Sequence, residues 1–228
     1  MSRQIMLDTE TTGLETKEGH RIIEIGALVV ESREITDETF HEYLNPDRMV
    51  DKEALEVHGI SNQFLQDKPR FADVIDAFLK FVEGAEVVIH NAAFDVGFIN
   101  HELHLCGINR RLEDYCTITD SLEYARKKHP GARNSLDALC KRYSISNEHR
   151  TLHGALLDSQ ILAQVYLAMT GGQTQLNLSQ QASTENSQAG LFDLSNLPPL
   201  ELVKATVQEQ QQHDAWMQKH ASKESGNH

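Results

Sequence analysis

The sequence predicts an α/β fold, and three features carry that prediction. Three runs of strand character come first, at residues 5–7, 22–31 and 35–44. A fourth short apolar run, Glu86-Val87-Val88-Ile89, passes straight into a helical stretch from Ala92 to Leu105. Between them Phe71, Val74, Ile75, Phe78, Leu79 and Val82 recur at helical spacing.

The first strand, Ile5-Met6-Leu7, runs into the polar stretch Asp8-Thr9-Glu10-Thr11-Thr12 and then Gly13, which places Asp8 and Glu10 at its C-terminal rim. Residues two apart on a strand project to one face. Two carboxylates held on one face repel each other unless a cation lies between them, so the pair suits a hard metal; a solvated pair at a strand end is the alternative. Residues 14–21 are polar and read as a connection. Strands at 22–31 and 35–44 flank a charged turn at 32–34, and Asn45-Pro46 stops the second of them, because proline donates nothing to a ladder and restricts its predecessor.

Short helical turns are expected between residues 50 and 64, a stretch that holds Glu53 and His58. The apolar stripe from Phe71 to Val82 is an amphipathic helix ending near Gly84, and its residues are core packing. After the fourth strand, His90-Asn91-Ala92-Ala93-Phe94-Asp95 leads into the next helix and puts Asp95 in its first turn. If the first and fourth strands are parallel neighbours, Asp95 reaches the rim that carries Asp8 and Glu10; the helix dipole alone would also account for an acid there. A fifth strand is expected at 116–119, then helices at 120–128 and 135–143 separated by Pro130-Gly131. The last helix of the domain contains Leu152, Ala155, Leu156, Leu157, Ile161, Leu162, Val165 and Tyr166, with His153 and Asp158 among them. A carboxylate in such apolar company needs a partner, whether a metal, a salt bridge or a backbone turn.

The composition narrows the functional classes. The 228 residues suffice for one domain with a sizeable core plus a tail. No apolar run approaches the ~20 residues that span a bilayer, and the start Met1-Ser2-Arg3-Gln4 lacks a signal-peptide core, so a cytoplasmic protein is expected. Cys106, Cys116 and Cys140 form no CxxC pair, which fits a reducing compartment without a zinc ribbon. A formal charge of −13 argues against a protein that coats nucleic acid. Charge is uneven, however: from 126 to 150, Arg126, Lys127, Lys128, Arg133, Lys141, Arg142 and Arg150 face only Asp137 and Glu148. Solvated helix faces or a phosphate-contacting patch would both produce that pattern.

Four acids from three elements, Asp8 and Glu10 on one strand and Asp95 and Asp158 on two helices, with His153 five residues before the last, form a coherent set. Oxygen ligands without thiolate select Mg²⁺ or Mn²⁺ over zinc. Two such ions about 4 Å apart can drive in-line hydrolysis of a phosphodiester. Histidine titrates nearest neutrality, which suits His153 to take a proton from the attacking water.

Asp8-x-Glu10 after a strand, His90-Asn91-Ala92-Ala93-Phe94-Asp95 and His153-x4-Asp158 resemble the three motifs of the DEDD exonuclease superfamily, histidine subclass, whose members degrade DNA or RNA from the 3′ end. Within it the sequence resembles the proofreading subunits of bacterial DNA polymerase III. It runs through residues 3–172 and includes Asp120-Ser121-Leu122, Arg133-Asn134-Ser135-Leu136-Asp137-Ala138-Leu139-Cys140 and the stretch from Thr151 to Asp158. The resemblance implies a ribonuclease H-like fold, a mixed five-stranded sheet with helices on both sides. It further implies that Asp8 bridges two divalent ions, that Glu10 and Asp158 complete the shell of the one holding the nucleophilic water, that Asp95 supports the other, and that His153 is the base. Thr11, Glu53 and His58, with Asp8, Glu10 and Asp158, match positions that hold the terminal nucleotide, and Val57 matches an apolar contact for its base. The basic run from Arg126 to Arg150 could contact the incoming strand.

From Gln173 the composition shifts to Gln, Ser, Asn and Ala, the signature of a flexible linker to about residue 196. Gln173, Leu176 and Leu178 resemble the sliding-clamp motif that follows the exonuclease domain in this family, and residues 188–192 form a second candidate. Residues 197–228, with Trp216, correspond in position to the segment that docks on the polymerase catalytic (alpha) subunit; a small third core subunit is a further possible partner of the domain. The expected organisation is therefore an exonuclease domain at 1–172, a linker at 173–196 and a docking segment at 197–228, in a bacterial cytoplasmic protein that proofreads 3′ ends of DNA. Two rivals stand beside it: a 3′ to 5′ exoribonuclease of the same superfamily, and a non-catalytic bridge between clamp and polymerase.

Overall fold

The computed structural model describes residues 3–147, 152–171, 208–211 and 213. Gln4–Thr11 (β1), Ile22–Glu31 (β2), Glu34–Tyr43 (β3), Glu86–Ile89 (β4) and Thr117–Asp120 (β5) form a five-stranded sheet in the order β3-β2-β1-β4-β5. β2 runs antiparallel to both β1 and β3, whereas β4 runs parallel to β1 and β5 parallel to β4. The mixed sheet follows from the connections. Ser32 and Arg33, both at positive φ, turn β2 directly into β3, as a tight hairpin requires. Parallel strands need crossovers, and helices supply them.

Lys52–His58 (α1) and Asn62–Leu65 (α2) follow the antiparallel strands, and Phe71–Val82 (α3) leads into β4. Ala92–Leu105 (α4) follows β4, then Ser121–Lys128 (α5), Leu136–Tyr143 (α6) and Ala155–Thr170 (α7) complete the domain. Alternation along β1 sorts the core into two layers. Ile5 and Leu7 pack with Phe71, Phe78, Phe98 and Ile99 of α3 and α4, while Met6 joins Leu139, Ile161, Leu162 and Val165 of α6 and α7 on the other side. The stripe expected from Phe71 to Val82 is buried except for the half-buried Leu79.

Several boundaries differ from the sequence reading, for identifiable reasons. β1 continues through its polar residues to Thr11, because Asp8 pairs with Gly26 and Glu10 with Glu24 on β2. Asp120 and Ser135 lie outside α5 and α6 as their N-caps, each accepting hydrogen bonds from backbone N–H groups of the first turn. His153 stands before α7 rather than inside it: its N–H donates to the Val57 carbonyl at 3.1 Å, and the extended Gly154 is the N-cap. Asp158 is thus a first-turn residue, where the helix dipole favours a negative charge.

One buried ion pair ties α4 to the sheet. Glu102 is fully buried and accepts from Arg21 Nε and Nη2 at 2.7 and 2.6 Å and from the Ile22 N–H at 3.2 Å. Backbone contacts divide the chain into two units, Met1–Gln175 and Leu176–His228. Of the second, residues 208–211 and 213 are described and are helical; the sequence-derived linker and clamp motif lie outside the described residues, as does most of the docking segment. No helix among the described residues is long and apolar enough to cross a membrane.

Candidate active site

The two faces of β1 deliver the acids to one place. Asp8 and Glu10 share the face of Met6, the side on which α7 packs, so both project toward the first turn that carries Asp158. Thr9 points the other way, toward α4, and engages Asp95: its hydroxyl and N–H donate to Asp95 Oδ1 at 2.7 and 3.1 Å. The parallel pairing of β1 with β4 brings α4's first turn level with this end of the sheet. Asp8, Glu10, Asp95, Asp158 and His153 consequently line a single cleft of about 220 Å³, together with Thr9, His90, Asn91, Phe94 and Leu136.

Within the cleft, ligand atoms of Glu10, His153 and Asp158 lie within 4.8 Å of one another, a grouping that could hold a metal ion. His153 Nδ1 is 3.3 Å from Asp158 Oδ2. Asp8 and Asp95 line the same cleft outside that tight group. Asp95 is buried, and burial pushes its carboxyl up to about 7 despite the two bonds from Thr9 that favour ionisation; Asp120 nearby adds to the rise. A carboxyl in that position ionises more readily beside a cation. The donor set of carboxylates with one imidazole and no thiolate fits a hard divalent ion.

A glycine sets how closely α7 approaches. Gly26 lies opposite Asp8 in the β1–β2 ladder, and a Cβ built there would stand 2.1 Å from the Leu156 nitrogen and 2.2 Å from the Ala155 carbonyl carbon. The first turn of α7 therefore rests on bare backbone, held by Ser159 Oγ donating to the Gly26 carbonyl at 2.7 Å. Gly26→Ala should push that turn and Asp158 away from Asp8. We expect a loss of about 1–3 kcal/mol in stability, as for other overpacked sites, together with weakened Mn²⁺ binding. Thermal unfolding and a calorimetric Mn²⁺ titration measure the two effects.

A second cavity of about 470 Å³ adjoins the acidic cleft, sharing Thr9, Glu10 and Phe94 with it, and is lined by Thr11, Glu53, Val57 and His58 among others. Its size falls in the ~300–1,000 Å³ range of small-ligand pockets. His58 is buried; its Nδ1 accepts from the Ile60 N–H at 3.0 Å, which leaves the proton on Nε2 when the ring is neutral. Nε2 is buried and makes no hydrogen bond among the described residues. Burial holds this imidazole below its ordinary range, with the Thr11 backbone opposing and His153 adding to the fall. Val57 is exposed, offering an apolar surface.

All the predicted residues of the domain thus fall in two adjoining cavities. Thr9, which fixes Asp95, and Gly26, which seats α7, escaped the sequence reading. An isolated glycine inside an apolar strand is a signal of close backbone approach, so Gly26 was accessible in principle. Thr9 gave no signal beyond its neighbours.

A mixed sheet with an acid-lined cleft beside its central strand is the arrangement of a ribonuclease H-like nuclease. A family model described as "Exonuclease" matches residues 5–166. DNA polymerase III subunit epsilon of Salmonella typhimurium (strain LT2) is 57% identical over 193 residues, covering 82% of this chain and 79% of that one. The subunit of the same name from Escherichia coli (strain K12) is 56% identical over 193 residues, with the same coverage. Among solved structures, exonuclease X in complex with 5′ overhanging duplex DNA is 27% identical with a TM-score of 0.59, covering 75% of this chain and 92% of that one. The chain belongs to the exonuclease family and, within it, to the epsilon subunits of DNA polymerase III.

Proposed function

We propose that this chain is a 3′ to 5′ exodeoxyribonuclease that removes mispaired 3′-terminal nucleotides for the replicative DNA polymerase III. The observation that carries the reading is the convergence of Asp8, Glu10, Asp95, Asp158 and His153 on one cleft beside a nucleotide-sized cavity. The epsilon subunits and exonuclease X named above support the same assignment.

In this reading Asp8, Glu10, Asp95 and Asp158 hold two divalent ions, Mg²⁺ or Mn²⁺. Such ions, when bound, neutralise phosphoryl oxygens and lower the pKa of water. Thr11, Glu53 and His58 hold the terminal nucleotide in the adjoining cavity, His58 through its buried Nε2–H, and Val57 lies against the base. His153, open to solvent on one side and next to Asp158 on the other, takes the proton of the attacking water. Nothing in this set reads base edges, so removal is indifferent to sequence. The partners we assign from sequence are the polymerase catalytic (alpha) subunit through residues 197–228 and the sliding clamp through Gln173, Leu176 and Leu178. Tethering of this kind raises the local concentration of the site at the primer end.

The test is hydrolysis under Mg²⁺ and Mn²⁺ of three 3′ ends: a matched DNA primer, the same primer with a terminal mismatch, and a short RNA. The mismatched DNA should be degraded fastest. Faster removal of RNA would favour the exoribonuclease reading, and no hydrolysis of any end would favour a non-catalytic bridge.

A further inference from the structure

A third cavity continues the line of the first two. It is about 510 Å³ and shares His90, Asn91 and Leu136 with the acidic cleft, on the side away from the nucleotide cavity that meets the cleft through Thr9, Glu10 and Phe94. Arg126 and Ser135 line its far wall. We propose that this groove is the binding site for the nucleic-acid strand upstream of the scissile bond, with Arg126 as its phosphate contact. The inference rests on the exonuclease reading and adds a polarity to it: terminal nucleotide in the His58 cavity, scissile phosphate in the acidic cleft, preceding phosphates along α5 and α6.

Charge argues for that occupant. The chain as a whole carries −13, yet this wall belongs to the one strongly basic stretch of the sequence. Part of that stretch is committed to structure: Lys127 pairs with Glu123 across one helical turn, and Lys128 Nζ donates to the Met169 carbonyl. Arg142 donates to Asn134 Oδ1 and to the Arg133 carbonyl, neutral acceptors that leave its charge uncompensated. The side chain of Arg126 is exposed and forms no ion pair or hydrogen bond among the described residues. Burial first holds His129 below its ordinary range, and the positive charges of Arg142 and Lys128 lower it further. A polyanion is the ligand that such a wall attracts, and only a strand already anchored in the cleft would follow it.

The experiment compares two substrates on the full chain. One is a single-stranded DNA oligonucleotide; the other is the p-nitrophenyl ester of thymidine 5′-monophosphate, which offers the terminal nucleotide and one phosphodiester but no upstream strand. Arg126→Gln should raise KM for the oligonucleotide about five- to tenfold with kcat little changed, and should make the salt dependence of kcat/KM shallower by about 0.7 in log–log slope, the value for one single-strand phosphate contact. On the ester both constants should match wild type, and Arg126→Lys should restore most of the salt slope. An unchanged oligonucleotide KM and slope, or an equal loss on both substrates, would overturn the groove while leaving the exonuclease reading in place. A wild-type chain that cleaves neither substrate would overturn both.

Discussion

Asp8→Ala should lower the rate of 3′-end hydrolysis by roughly 10³-fold or more and leave the protein folded. The side chain lies in the second half of the central strand and lines the same cleft as Glu10, Asp95 and Asp158. Charge stabilisation by a bound divalent ion is worth several kcal/mol, and each ~1.4 kcal/mol is a factor of ten in rate. Removing Asp8 also takes one carboxylate away from Glu10 on the same face of β1, so metal-free stability should be unchanged or higher. Primer hydrolysis with Mg²⁺ and thermal unfolding in EDTA separate the two effects. Wild-type activity in the variant would remove the mechanism, and a collapse of stability without metal would show that Asp8 serves the fold instead.

His153→Ala should lower kcat by about 10²- to 10⁴-fold, the usual contribution of a positioned general base. It should also alter the acidic limb of the pH–rate profile measured at saturating Mn²⁺, because one of the groups that must be deprotonated is gone while Asp95 remains. Two roles are open to an imidazole 3.3 Å from Asp158 and close to Glu10: proton acceptor and metal ligand. They are separable. A base leaves Mn²⁺ affinity nearly unchanged, and excess Mn²⁺ does not restore the rate; a ligand does the reverse. A wild-type pH profile in the variant would show that His153 is not the base.

How much of this was legible in the residues depends on which level is asked. α3 was readable from its hydrophobic periodicity and β1 and β4 from their short apolar runs, whereas α4 spans the expected residues although Asp95 and Glu102 sit on its buried face. The edges were harder. β1 runs past its apolar stretch because pairing with β2 continues through Glu10, a long-range fact that no local window contains. His153 looked helical from its apolar neighbours, yet a hydrogen bond from its N–H to Val57, distant in sequence, holds it out of α7. The candidate ligands could be picked out only as a set, since each acid alone had a second explanation in a solvated strand end, a helix dipole or a salt bridge, and the ordered motifs with His153 singled them out. Their support was harder: Thr9 reaching Asp95 and Arg21 clamping Glu102 join residues whose proximity is created by the fold, and Gly26 signalled a close approach without saying that α7 makes it.

The central claim is that oxygens from three separate elements, β1, α4 and α7, hold two divalent ions. Calorimetric titration of Mn²⁺ into the full chain in the presence of thymidine 5′-monophosphate tests it most directly. The account predicts two ions per chain, with affinity that rises with pH through about 7, since Asp95 must give up the proton that burial lets it keep, and the loss of at least one ion in Asp8→Ala. Stoichiometry of one or none at saturation, or binding unaltered by Asp8→Ala, would contradict it.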